Sequence, residues 1–183
     1  MKIKVGVSAR HIHITEEDYK ILFDEELNVK KYLNQPGEFA SDKKVIISNN
    51  DKYLPATIVG PFRKYTQVEM SRTDAYKLSL DVPVKQSGDL EEAAEITIST
   101  EKGSIKRKAA IIPARHIHIT KKQREEYGLL NDTYSIKVTG EKGGVFDNVT
   151  ISESEKSYFE LHIDTDDANA FLINSGDEVE IIK

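Results

Sequence analysis

The chain has 183 residues, of which 38% are hydrophobic and 31% charged, and it contains no cysteine. The length suits one domain or two small ones of about 90 residues, and the lack of cysteine excludes disulfides, thiolate nucleophiles and zinc sites built on sulfur. The net charge is −5 and there is no basic stripe, so the sequence does not predict nucleic acid as a partner. No apolar stretch reaches the ~20 residues that a membrane span requires, so the sequence does not predict a membrane as a partner either.

The first part of the chain consists mainly of short, strand-like segments. A strand-like run at residues 3–7 leads into the motif ARHIHIT at residues 9–15, and a helical pattern follows at residues 16–23. Alternating apolar and polar runs, bounded by Gly, Pro, Asn or Asp, then predict further strands. These runs cover residues 45–48, 53–59, 66–70, 94–99 and 104–112, and a second helical pattern covers residues 73–80.

The motif ARHIHIT recurs letter for letter at residues 114–120, again directly after a strand-like run. In both copies the final Thr has the character of a helix N-cap, with Asp18 or Gln123 three residues later. The remaining elements repeat the earlier types. Helical patterns cover residues 121–127 and 165–174, and strand-like runs cover residues 133–138, 144–151, 158–163 and 178–182.

Two weaker correspondences extend the repeat. Residues 68–75 align with residues 161–168, which places Glu69 opposite His162, and an SGD turn precedes a strand-like run in both halves. The sequence therefore predicts a mainly β fold with short capping helices, made of two duplicated β-barrel domains related by pseudo-two-fold symmetry. We expect one barrel half to comprise residues 9–113, and the other to comprise residues 1–8 with 114–183.

The histidines are the sharpest functional signal, because all five lie at repeat positions. Side chains two apart on a strand share a face, so each H-x-H pair sends both imidazoles one way and its isoleucines into the core. A single H-x-H reads most simply as the polar face of an amphipathic strand, but the duplication favours metal binding. Three ligands per ion leave a position open for a reactant. The candidate sets are His11, His13 and Glu69 for one ion, and His116, His118 and His162 for the other.

Three arginines lie near these motifs. Arg10 and Arg115 directly precede the first histidines, and we expect both to form structural salt bridges on the opposite strand face. Arg63 follows a Gly-Pro turn and lies six residues before Glu69, which suits a loop position at the rim of a metal site. Its guanidinium could bind a phosphate or a carboxylate, although on spacing alone a surface arginine is the favoured reading.

The sequence resembles the PduL-type phosphotransacylases, also called phosphate propanoyltransferases, essentially from end to end. The resemblance is carried by the doubled H-x-H motif, by QPGEFA at residues 35–40, by RKYTQVE at residues 63–69 and by LHIDTDDANAFL at residues 161–172. It implies two β-barrel domains with helical caps and a dinuclear zinc site between them. The implied reaction converts a short-chain acyl-CoA, such as propanoyl-CoA or acetyl-CoA, and phosphate reversibly to acyl phosphate and CoA.

The resemblance also implies roles for individual residues. Arg63 matches the arginine that holds phosphate. Lys85 stands where relatives have arginine, and a lysine would contact phosphate as a point charge instead of through the two parallel hydrogen bonds of a guanidinium. The positions that match the ligands of the two zinc ions are His11, His13 and Glu69 for the first, and His116, His118 and His162 for the second.

Two other functional classes remain open on the residues alone. One is a binuclear zinc hydrolase acting on a thioester or phosphate ester, in which water attacks instead of phosphate. The other is a non-enzymatic barrel protein in which zinc only stabilises the fold, although a structural zinc ion is normally coordinated by four protein ligands. We expect acyl-CoA or CoA and inorganic phosphate as partners, and the sequence leaves the oligomeric state, including a homo-oligomer, open.

The sequence predicts a cytoplasmic enzyme. Family members that are directed to a bacterial microcompartment have an amphipathic targeting extension ahead of the first motif. Here only residues 1–8 precede that motif, and they form the strand-like run. No targeting extension is seen, which argues against microcompartment association but leaves it open.

Overall fold

A computed structural model describes residues 1–182, and the chain folds into two compact units. The continuous unit is Arg10–Pro113, and the split unit combines Met1–Ala9 with Ala114–Lys183. Strands predominate in both, the helices are short, and each unit contains a closed barrel of six strands. The predicted fold class is therefore confirmed.

In the continuous unit, six strands form a closed barrel, and two further short strands pair with barrel strands from outside the closed ring. Its helices are α1 (Glu16–Leu22) and α2 (Arg72–Lys77). Its strands are β2 (His11–His13), β3 (Val29–Tyr32), β4 (Phe39–Asn49), β5 (Lys52–Gly60), β6 (Gln67–Glu69), β7 (Val84–Lys85), β8 (Ala94–Ser99) and β9 (Ser104–Pro113). The barrel order is β4-β5-β2-β6-β9-β8, and β8 pairs with β4 to close it. Strand β3 pairs with β4, and β7 pairs with β9.

The split unit has a barrel of the same size. Its helices are α3 (Lys121–Glu126) and α4 (Thr165–Phe171). Its strands are β1 (Lys2–Ser8), β10 (His116–Ile119), β11 (Thr133–Val138), β12 (Gly144–Glu153), β13 (Glu160–Asp164) and β14 (Glu178–Ile182). The barrel closes in the order β1-β13-β10-β12-β11-β14.

The two barrels share one pairing scheme. Each H-x-H strand, β2 or β10, pairs in parallel with one long strand and antiparallel with the strand that carries the third candidate ligand. That third strand, β6 or β13, in turn pairs in parallel with β9 or β1. Because β1 and β9 each immediately precede an H-x-H motif, the chain crosses from one unit to the other directly before both motifs.

The apolar half of each H-x-H motif anchors its strand in the barrel core. Ile12 and Ile14 belong to the core of the continuous unit, and Ile117 and Ile119 to that of the split unit, all at most 1% exposed. Burial of each isoleucine side chain contributes roughly 1.5–3 kcal/mol. This alternation fixes the register and confirms that the intervening histidines point away from the core.

Each helix begins within one residue of its predicted start and ends before its predicted end, by one residue for α1 and α3 and by three for α2 and α4. Thr15 and Thr120 cap α1 and α3 by accepting a hydrogen bond from the backbone amide three residues on. The predicted ranges 73–80 and 165–174 are too long, because Ser79 and Leu172 adopt left-handed backbone conformations that end the helical turns.

No helix among residues 1–182 combines the length and the apolar character that a membrane span requires.

Candidate metal centres

The continuous unit brings His11, His13 and Glu69 together. Strands β2 and β6 pair antiparallel with His11 opposite Glu69, so the three side chains share one face. His11 Nε2 lies 3.5 Å from Glu69 Oε2, and His13 Nε2 lies 3.8 Å from Glu69 Oε1. Each carboxylate oxygen therefore faces one imidazole, and the three donor atoms lie within 4.8 Å of one another.

The imidazole of His13 is neutral at pH 7. Its pKa is lowered to about 3, chiefly by burial and then by the charge of His11, while the Glu69 carboxylate acts in the opposite direction. The positive charge of Arg63 lowers this pKa further. A neutral imidazole offers a lone pair, which is the form that binds a metal ion.

Gln67 holds the Glu69 carboxylate in place. Its fully buried amide donates hydrogen bonds from Nε2 to Glu69 Oε1 at 2.6 Å and to Ser87 Oγ at 2.8 Å. The Ser87 hydroxyl donates to the same Glu69 oxygen at 3.3 Å, and the Gly88 amide donates to Gln67 Oε1 at 2.8 Å. The first SGD motif, predicted only as a turn, thus also supports the candidate ligand.

The split unit brings His116, His118 and His162 together in the same way. Strands β10 and β13 pair antiparallel with His116 opposite His162, the counterpart of His11 opposite Glu69. The Nε2 atoms of His116 and His118 are 3.1 Å apart, and the rings of His118 and His162 have centroids 4.3 Å apart. His116 Nδ1 donates to the backbone oxygen of Ala114 at 2.8 Å, which leaves the lone pair on Nε2, where the rings converge.

A buried carboxylate that sequence reasoning missed lies beside this group. Glu160 Oε2 is 2.8 Å from His162 Nε2, and Glu160 is 3% exposed. It stands opposite His118 in the strand register, as Gln67 stands opposite His13. The signal that could have revealed both residues is their position two before the third candidate ligand, on the same face of its strand.

Both groups could hold a metal ion. Each has three donors on two adjacent strands, with donor atoms within 4.8 Å of one another. Imidazole and carboxylate are ligands that zinc accepts, and three of them leave one tetrahedral position open for a reactant. His116 Nδ1 and Glu69 Oε1 also form hydrogen bonds with residues outside these groups, as expected of metal ligands with a supporting shell.

The structure locates Arg63 close to the group in the continuous unit. Its backbone amide donates to the backbone oxygen of Ile14 at 2.9 Å, which fastens the loop after β5 beside the end of the H-x-H strand. Its guanidinium forms an ion pair with Glu38, and both side chains remain partly exposed. A guanidinium has five N–H donors, so donors remain for an anion from solution.

Arg10 and Arg115 form the ion pairs that the sequence predicts. Arg10 Nη1 binds Asp74 Oδ1 at 2.8 Å, and Arg115 binds Asp167 through two hydrogen bonds of 2.9 and 2.8 Å. Asp74 and Asp167 occupy matching positions in the weaker sequence correspondence and lie in the first turns of α2 and α4. The duplicated arginines thus tie each H-x-H strand to the helix that follows the third candidate ligand.

Lys85 lies on the short strand β7. Its Nζ is 3.4 Å from Asp89 and 3.6 Å from Glu92. The structure therefore pairs this lysine with two carboxylates from its own loop, and a contact to phosphate stays a prediction.

Fold and site together define a two-barrel protein with a three-donor, histidine-rich group on equivalent strands of each barrel. The profile of the phosphate propanoyltransferase family matches residues 4–174. The chain belongs to the phosphate propanoyltransferase family, and it is an enzyme of the phosphotransacylase class.

Individual relatives are similar over nearly their whole length. A protein from Thermotoga maritima named Phosphate propanoyltransferase is 44% identical over 99% of this chain and 89% of its own. Relatives with the same name from Priestia megaterium and Clostridioides difficile are 41% and 40% identical, over 96% and 99% of this chain and 83% and 89% of their own.

Proposed function

We propose that this enzyme transfers an acyl group reversibly between coenzyme A and inorganic phosphate, using two zinc ions per chain. The substrates would be a short-chain acyl-CoA, such as propanoyl-CoA or acetyl-CoA, and phosphate, and the products acyl phosphate and CoA. The observation that carries the proposal is the pair of three-donor groups at the same register in two barrels. Membership of a family whose relatives are named for phosphate propanoyl transfer supports the choice of reaction.

The proposed reaction is a direct transfer. An oxygen of phosphate attacks the thioester carbonyl carbon, a C–O bond forms, the C–S bond breaks, and the electron pair leaves with the sulfur of CoA as a thiolate. The chain has no cysteine to form an acyl-thioester intermediate. Zinc, when bound, supplies positive charge that offsets the negative charge growing on the carbonyl oxygen and on the departing thiolate.

Arg63 is the residue that we assign to phosphate. Its guanidinium can bind two phosphate oxygens at once, which fixes the direction of attack as well as the charge. Its partner Glu38 accepts a hydrogen bond from Nη2 and leaves the remaining N–H groups available. The backbone bond to Ile14 keeps the loop that carries Arg63 next to the H-x-H strand.

The protein side chains around the ions hold the ligands still. In the continuous unit, Gln67 and Ser87 fix Glu69 from behind, so the carboxylate stays turned toward the two imidazoles. In the split unit, the backbone oxygen of Ala114 fixes the tautomer of His116. Ligands that are already oriented lose little further freedom when a metal and its substrate bind.

Phosphate dependence tests the proposal directly. Release of CoA from propanoyl-CoA by the zinc-loaded enzyme should require inorganic phosphate and yield one acyl phosphate per CoA, and the reverse reaction should run on the same preparation. Arsenate should replace phosphate and drive net thioester breakdown, because acyl arsenates decompose in water. Full CoA release in buffer free of phosphate and arsenate would refute the transfer reaction and identify a zinc hydrolase instead.

A further inference from the structure

The loop that carries Arg63 is bound to the segment directly after the H-x-H strand of its own unit. This loop covers residues 61–66, between β5 and β6. The backbone amide of Arg63 donates to the backbone oxygen of Ile14 at 2.9 Å. At the end of the loop, the hydroxyl oxygen of Thr66 accepts a hydrogen bond from the backbone amide of Thr15 at 3.2 Å. Two successive residues of one segment therefore hold the loop at two points.

Thr66 takes a place that a residue of the helix itself takes in the other unit. There the amide of the N-cap Thr120 donates to Gln123 Oε1 at 3.0 Å, which completes a capping box. In the continuous unit the amide of the N-cap Thr15 donates to Thr66 instead. Phe159, the counterpart of Thr66 in the weaker sequence correspondence, has no side-chain atom that could accept such a bond. The start of α1 is thus capped by the loop, whereas α3 caps itself.

Asp18 holds the same hydroxyl from the other side. Asp18 is the residue of α1 that matches Gln123 of α3, and its buried carboxylate accepts from Thr66 Oγ1 at 2.6 Å. Arg107 of β9 binds both oxygens of this carboxylate, with Nη2 2.6 Å from Oδ1 and Nε 3.3 Å from Oδ2. A bidentate guanidinium fixes the orientation of a carboxylate as well as its place. The Thr66 hydroxyl therefore accepts one hydrogen bond and donates another, both to groups that are themselves held.

We propose that Thr66 is a positioning residue for Arg63, held in turn by Asp18 and Arg107. The proposal rests on the phosphate role proposed above for Arg63. Thr66 fixes the end of the loop three residues after Arg63, so the guanidinium meets phosphate at a set place beside the H-x-H strand. Such precision matters because a displacement of about 1 Å caused by a distant substitution can cost 10²-fold in rate.

The test removes the hydroxyl and keeps the size of the side chain. Thr66→Val should lower kcat/KM for phosphate about 10-fold. The loss should be smaller than in Arg63→Ala, because the packing of Phe62 on Tyr19 of α1 still holds the loop. Thr66→Ser keeps the hydroxyl and should stay within about threefold of the unchanged enzyme. The Kd of the zinc-loaded enzyme for inorganic phosphate, measured by calorimetry, should rise in Thr66→Val with no change in zinc content.

A matched control separates this role from helix capping. Gln123→Met removes the corresponding bond to the Thr120 amide, which also lies two residues after the second histidine of an H-x-H motif. Thr66→Val and Gln123→Met each take an acceptor from an N-cap amide, so both should lower the melting temperature by a few degrees. We expect a change in kcat/KM for phosphate in Thr66→Val alone.

The double variant Arg63→Ala/Thr66→Val shows whether Thr66 acts through Arg63. With no guanidinium left to position, Thr66→Val should cost no further activity in the Arg63→Ala background. If Thr66→Val does not fold, Arg107→Leu replaces it, because this substitution releases the Asp18 carboxylate and leaves the loop sequence intact. Arg107→Leu should also lower kcat/KM for phosphate, and it should likewise have no effect in the Arg63→Ala background.

Each alternative outcome has a distinct meaning. Unchanged kcat/KM and unchanged phosphate Kd in a folded Thr66→Val enzyme would overturn the positioning role. An equal loss in Gln123→Met, or a further 10-fold loss in the double variant, would overturn it as well. If Arg63→Ala itself retains full turnover, the phosphate role of Arg63 fails, and the positioning role fails with it. If Arg63→Ala is impaired and Thr66→Val is not, the positioning role alone fails.

Discussion

Replacing Arg63 with alanine should separate catalysis from folding in this enzyme. The substitution removes the guanidinium that we assign to phosphate and leaves the zinc ligands untouched. Loss of one donor directed at charge in a reacting centre costs roughly 10²–10³ in rate, or about 2.7–4 kcal/mol. We therefore expect phosphate-dependent turnover to fall by that factor while the zinc content remains that of the unchanged enzyme.

The structural cost of the same change is small. Arg63 and Glu38 form an ion pair whose side chains are 30% and 24% exposed, so solvent screens much of their attraction. Exposed pairs are worth about 0–1 kcal/mol, which in a chain of this size lowers the melting temperature by about 2–4 °C at most. Arg63→Lys should be intermediate in rate, because lysine keeps the charge but loses the fork of donors.

The assay follows CoA release from propanoyl-CoA over a range of phosphate concentrations, and kcat/KM for phosphate is the quantity compared. Arg72→Ala is the matched control, since Arg72 forms a single exposed ion pair with Asp81 in the same unit and should leave kcat/KM unchanged. Full phosphate-dependent turnover by a folded, zinc-loaded Arg63→Ala enzyme would remove Arg63 from the mechanism.

Further predictions concern the metal sites and their support. Metal analysis should find two zinc ions per chain, and alanine at both histidines of either H-x-H motif should remove one ion and abolish turnover; intact activity with less than one bound ion would contradict this. Gln67→Leu should lower the unfolding free energy by about 2–3 kcal/mol, because it removes a buried hydrogen bond to a charged group. Thermal unfolding measures this change, and the exposed Gln86→Leu, which should have almost no effect, is the control. Arg115→Ala should destabilise the protein by about 1–2 kcal/mol in urea unfolding, a value discounted for its partial exposure; no change in the urea midpoint would contradict the bidentate bond.

The sequence predicts the candidate site well because the protein contains an internal repeat, so that residues at equivalent positions of the two copies can be compared. The doubled ARHIHIT motif identifies four histidines, and a weaker alignment brings in Glu69 and His162, which the strand register then sets opposite the first histidine of each pair. Alternation alone predicts that the isoleucines are buried. These predictions depend on the spacing of residues within short segments, which the sequence shows directly.

The rest depends on which strand lies beside which. The hydrogen bonds that join Gln67 to Ser87 and Gly88, like the pairing of β1 with β13, connect segments that lie far apart in the chain. The strands β3 and β7 are short and lie outside the closed barrel, so they have weak alternation and were not predicted. Single-residue left-handed turns at helix ends likewise leave no reliable signal in composition.

The crossing of the chain directly before each H-x-H motif sets an order for folding during synthesis. Every strand of the barrel in the continuous unit lies within Arg10–Pro113, so that barrel can close once β9 has emerged from the ribosome. Strand β1 is made before it, yet its partner strands in the described part of the chain are β13 and β14, with Lys4 opposite Glu160. At the usual ~5–20 residues per second, β1 waits roughly ten seconds or more with unpaired edges. During that interval the nascent chain carries an exposed strand for which chaperones, or strands of neighbouring nascent chains, compete.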